Sequence, residues 1–168
     1  DVVNSHQRAK VEDYGDYLFI VSRMAGYGEQ LETEQLSMFL GRNFVVTFQE
    51  DLPGDCLNAV RDRLRKNQGR LRAAGPDYLA YSLLDAVVDS YFPVLEKYGE
   101  RLDALDDQVT SDDTQGTLSD FHKLRGELLF LRRAIWPHRE AMAALSRDIS
   151  PLIQHETRVH LSDCYVHT

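Results

Sequence analysis

Only two cysteines, Cys56 and Cys164, occur in the 168 residues, so no disulfide framework holds this chain together. Far apart and in unrelated surroundings, they read as reduced thiols. Long apolar runs are missing too. No stretch approaches the roughly 18 residues that a membrane-spanning helix needs, and nothing in this piece is expected to cross a bilayer. Positive charge is scarce: 19 Lys and Arg face 27 Asp and Glu, for a net charge of −8. That balance excludes nucleic acid as the expected partner, because phosphate binding requires clustered basic residues that release counterions. Catalytic signatures are absent as well. There is no Gly-x-Ser-x-Gly, no phosphate-binding glycine loop, no HExxH, and no Ser or Cys beside an evident His and Asp arrangement. The expectation is therefore a protein that is not an enzyme. Asp1-Val2-Val3 carries neither an initiator Met nor the charged and apolar regions of a signal peptide. RVHLSDCYVHT, at the other end, reads as the middle of a helix, so the chain is expected to be a piece of a longer one.

What is present describes an ordinary globular composition, 43% hydrophobic and 27% charged. Its hydrophobic period changes once. Residues Tyr17 to Met24 (YLFIVSRM), Glu34 to Leu40 (EQLSMFL) and Phe44 to Glu50 (FVVTFQE) are short, β-branched or aromatic, and separated by Gly26, Gly28 and the turn Gly41-Arg42-Asn43. They predict a three-stranded antiparallel meander. After Pro53-Gly54 the period becomes helical. Asp55 is the expected N-cap of a helix reaching about Asn67 or Gln68, with Leu57, Val60 and Leu64 on one face. Gly75-Pro76-Asp77 opens a second helix, read as continuous from Tyr78 to Val109, and Ser111 to Gly116 breaks it. A third runs from Thr117 through Arg147, with a kink predicted at Trp136-Pro137. The two long helices form a helical hairpin with arms of roughly 45 Å. Ser150 is the expected N-cap, and Pro151 the first residue, of a final helix to Thr168. The fold class is α+β, a small antiparallel sheet followed by a long helical hairpin. Residues 1–72, 73–149 and 150–168 are its expected parts.

Candidate chemistry is confined to carboxylates and histidines. Asp85 and Asp89, four apart, share a helix face, where like charges cost a few tenths of a kcal/mol unless neutralised. A hard cation such as Mg²⁺ would neutralise them through oxygen ligands. A solvated face is the simpler alternative. His160, Asp163 and His167 can share another face and, with His155, have the chemistry of a zinc, nickel or copper site; plain surface histidines on an amphipathic helix are the simpler reading. Asp103, Asp106, Asp107, Asp112 and Asp113 cluster near the hairpin tip without the spacing of a calcium loop.

Four stretches, HQRAKVEDYGDYLFIV (from His6), YSLLDAVVDSYFPVLE (from Tyr81), LRRAIWPHRE (from Leu131) and the terminal ETRVHLSDCYVHT, together resemble the cytoplasmic domain of CorA-type magnesium transporters. The likeness is collinear over essentially the whole chain. It implies a truncated α/β/α-type lobe whose last segment starts a stalk helix leading to transmembrane helices beyond Thr168. It further implies a homopentamer in the inner membrane. Weak regulatory Mg²⁺, with Co²⁺ or Ni²⁺ as further ions, would lie between neighbouring cytoplasmic domains and favour the closed state. By position Asp1 matches the carboxylate on one side of that intersubunit site and Asp163 the one facing it, while Asp85 matches an acidic residue of a neighbouring cation site. The sequence departs from the family where Val166 replaces a second Asp and Ala9 a usual Pro. A zinc-transporting relative, carried by His155, His160 and His167, and a helical adaptor without an ion role remain as alternatives.

Overall fold

Alternation of aromatic and β-branched residues from Tyr17 onward builds the centre of a four-stranded antiparallel sheet. The computed structural model describes residues 4, 7–28, 30–50, 55–109, 114–147 and 150–167. Strands β1 (Lys10–Asp13), β2 (Tyr17–Tyr27), β3 (Leu31–Gly41) and β4 (Val45–Phe48) lie side by side in chain order. The expected meander is thus one strand short. β1, with sequence KVED, is charged and carries no apolar alternation, so only its ladder with β2 makes it a strand. Its turn is set locally. The Asp13 carboxylate accepts from the Gly15 amide at 2.6 Å, and Gly15 takes φ +82°, a conformation that glycine adopts without strain.

Register decides which residues face the core. Leu18 pairs with Leu40, Ile20 with Met38 and Ser22 with Leu36, and partners in an antiparallel ladder point to the same side. These apolar residues are buried in one core with Leu84, Val87 and Val88 and with Tyr91, Val94 and Tyr98. On the other side Phe19, Phe39 and Phe48 follow one another at centroid separations of 4.8 and 6.0 Å.

Among the described residues five helices follow: α1 (Asn58–Arg65), α2 (Pro76–Asp89), α3 (Tyr91–Val109), α4 (Thr114–Arg147) and α5 (His155–His167). Each differs from expectation in its bounds. α1 starts after Leu57, not Asp55; the Asp55 carboxylate instead holds the Leu57 amide at 2.9 Å and the Arg61 guanidinium. The continuous helix from Tyr78 to Val109 is two, broken at Ser90. Pro93 supplies the reason: it has no amide to donate to the carbonyl four residues earlier, that of Asp89, where α2 ends. α5 begins at His155, because Pro151 to Ile153 form a turn closed by the Ile153 amide on the Ser150 carbonyl at 3.2 Å. α4 runs unbroken through Pro137 and exceeds its expected start by three residues.

α2 and α3 lie on the sheet, α3 also packs on α4, and α5 is held against both α2 and α4. The Asp77 carboxylate, buried in the first turn of α2, accepts from the Gln154 amide at 2.9 Å and so sets where α5 starts.

Candidate metal centre at the seam of the second and fifth helices

Tyr78, Tyr81 and Asp85 recur at three and four residues along α2, as Glu156, His160 and Cys164 recur at four along α5, so each set forms one stripe. The stripes meet. The His160 ring stacks on Tyr81 at 5.2 Å and 23°, and meets Tyr78 edge-on at 5.7 Å. At the near end of the seam Glu156 pairs with Arg70 at 2.6 Å, in solvent.

Farther along, the half-buried Asp85 is hydrogen-bonded to both Tyr81 and Cys164. Burial, and then the charge of Asp85, push the Tyr81 phenol well above its ordinary range and the Cys164 thiol up to about 12. Both groups therefore keep their protons and donate to the carboxylate. Asp89, one turn on, adds its own charge to the field at Cys164. A carboxylate held by two neutral donors is oriented without being neutralised, and its oxygens are of the kind a hard cation prefers.

Asp163 precedes Cys164 and lies exposed on the solvent side of the same helix. The structure thus places Asp85 inside the seam and Asp163 on its rim. Asp1 falls outside the described residues, as does the side chain of His167. His155 is exposed and His160 is committed to its aromatic stack. Among the described residues no group of three or more His, Cys, Asp or Glu side chains is placed to hold a metal ion within one chain. Asp103, Asp106 and Asp107 are solvent-exposed on α3, and Asp112 and Asp113 lie outside the described residues. Sequence reasoning missed Tyr81 and Cys164 as partners of Asp85. Their signal was there in the two matching helical stripes, but nothing in one dimension says that the stripes face each other.

A small antiparallel sheet carrying a long helical hairpin and a closing helix is a mixed α+β architecture, and it has solved counterparts. It superposes on the soluble domain of CorA from Methanocaldococcus jannaschii with a TM-score of 0.75, covering 97% of this chain and 65% of that one at 19% identity. The complete CorA magnesium transporter of the same organism gives a TM-score of 0.85, also at 19% identity, over 98% of this chain and 52% of that one. The chain belongs to the CorA-like Mg²⁺ transporter protein family, whose model matches residues 1–168. It is 44% identical over 171 residues to the cobalt/magnesium transport protein CorA of Thermotoga maritima, covering 100% of this chain and 48% of that protein. The chain spans about half the length of the Thermotoga maritima protein and of the complete transporter. No helix among its described residues is long and apolar enough to cross a membrane.

Proposed function

We propose that this chain is the cytoplasmic, Mg²⁺-sensing part of a CorA-type inner-membrane transporter for Mg²⁺ and Co²⁺, with Ni²⁺ as a further ion. Residues 1–72 form its lobe and 73–149 its hairpin, and residues 150–168 begin a stalk toward the membrane. The observation that carries the reading is Asp85, held by Tyr81 and Cys164 at a seam whose rim bears Asp163. In a homopentamer Asp163 of one copy and Asp1 of the next supply oxygens to one ion, and Asp85 belongs to a neighbouring site. Carboxylates from two copies repel until a divalent ion sits among them, whereupon the ion's charge reverses the sign of the interaction. Mg²⁺ keeps several of its waters and needs few protein oxygens, which suits weak binding. The ion stabilises the closed arrangement by its differential affinity for it, and its loss releases the gate.

Thermal unfolding with and without Mg²⁺ tests this. At tenfold excess over Kd the stabilisation is about 1.4 kcal/mol, or about 3–5 °C in Tm for a chain of this size. Asp163→Ala and Asp85→Asn should each shrink the shift. An unchanged shift in Asp163→Ala, or none in the wild-type chain, refutes the assignment.

A further inference from the structure

A groove of about 660 Å³ opens between the residues leading into β1, the far end of β2 and the middle of α4. It shares no residue with the carboxylate seam, and its charge is inverted. In a chain with a net charge of −8, the described residues lining it include Arg8, Arg23, Arg132 and Arg133 and not one Asp or Glu. The exposed rings of Phe130 and Trp136 complete the walls, Trp136 at 54% exposure.

These arginines are in different states. Arg23 is held in place, its guanidinium donating to the Thr33 hydroxyl at 3.0 Å while its carbonyl accepts from the Tyr91 hydroxyl at 2.6 Å. Arg132 lies over the Trp136 ring at 5.7 Å. Arg8 and Arg133 are exposed, and among the described residues neither has a carboxylate partner. Elsewhere in this acidic protein Arg61, Arg65, Arg70 and Arg101 are each paired with a carboxylate. Clustering like charges without counter-charge is unfavourable unless an anion is taken up.

The guanidinium fork matches phosphate oxygens two at a time, and aromatic faces stack on nucleobases. The groove's volume is in the range of small-ligand sites. We propose that this groove binds a nucleoside polyphosphate, with its phosphates on Arg8, Arg132 and Arg133 and its base against Trp136. The site is independent of whether the seam senses Mg²⁺.

Trp136 is the only tryptophan, so its fluorescence reports on the groove directly. The 168-residue chain is titrated, in metal-free buffer at fixed ionic strength, with ATP, inorganic triphosphate and adenosine. Saturable quenching by ATP, weaker binding of triphosphate and none of adenosine are expected. Arg8→Gln and Arg133→Gln, singly, should each weaken ATP by about tenfold, as loss of one charge-assisted phosphate contact does. Arg65→Gln, on α1, should leave it unchanged, and calorimetry of Trp136→Phe should show ATP reduced toward triphosphate. Equal affinity for triphosphate and ATP would show that the base makes no contact with Trp136 and overturns the nucleoside assignment. The proposal is overturned if ATP gives no saturable response, if adenosine matches it, or if both arginine variants bind as wild type. Salt-sensitive self-association without any ATP response also overturns it, since an acidic segment of another copy then fills the groove.

Discussion

His138 lies wholly inside the protein, with its Nδ1 2.8 Å from the Ser22 hydroxyl and its Nε2 meeting no hydrogen-bond partner among the described residues. Tyr91 meets the ring edge-on at 5.9 Å. Burial alone lowers its pKa to about 4, so the folded protein keeps the ring neutral. The unfolded chain binds that proton from about pH 6.5 downward. Between these values the unfolded state holds more protons, so stability falls as pH drops from about 6.5 toward 4, by up to about 3 kcal/mol from this residue. Denaturant unfolding of wild type and His138→Leu across that range should give curves that diverge at pH 7 and converge toward pH 4. At pH 7 His138→Leu alone strands the Ser22 hydroxyl at a cost of about 1–3 kcal/mol, whereas adding Ser22→Ala should recover most of it. Identical pH dependence in wild type and variant would show that the ring is not neutral in the fold. None of this was visible in the sequence, where His138 was one histidine among six.

At the scale of elements, proline and a single buried carboxylate set the boundaries that periodicity misplaced. The apolar repeat continues across Ser90, which is why one helix was expected, but Pro93 cannot supply the amide that would join α2 to α3. Pro93→Ala should restore that bond, visible as slowed hydrogen exchange at residue 93, with little change in stability, since a proline in the first turn of a helix is tolerated. Unprotected exchange there would mean that packing on the sheet, not the missing amide, makes the break. The start of α5 depends on Asp77 instead. Asp77→Ala leaves the Gln154 amide without its acceptor, and should lower stability by about 1–3 kcal/mol in thermal or urea unfolding. Asp77→Asn, which keeps an acceptor oxygen, should lose less. Hydrophobic period therefore located the helical stretches and the long central strands, and missed what proline and polar contacts decide: the break at Ser90, the charged edge strand β1 and the first residues of α1 and α5.

For the whole molecule, the net charge of −8 means that any salt relieves self-repulsion, and Mg²⁺ does so most strongly. Specific binding must therefore be separated from screening. In about 0.15 M NaCl, where the Debye length is about 8 Å, exposed charges are already largely screened. Sites built on Asp163 and, separately, on Asp85 should still raise Tm at millimolar Mg²⁺ in that background, while the same ionic strength added as NaCl should not. Equal effects of the two salts would leave only general electrostatics.

Composition and period alone determined that this is an acidic α+β protein with a small sheet and a helical hairpin, because burying apolar stripes admits few arrangements. The collinear stretches determined its family. Tertiary structure alone decided that Asp85 sits between Tyr81 and Cys164, that His138 reaches Ser22, and that arginines distant in sequence converge on one groove. Side-chain spacing along a helix records which residues share a face, but which face meets which is settled only when several elements compete to bury their apolar surface at once.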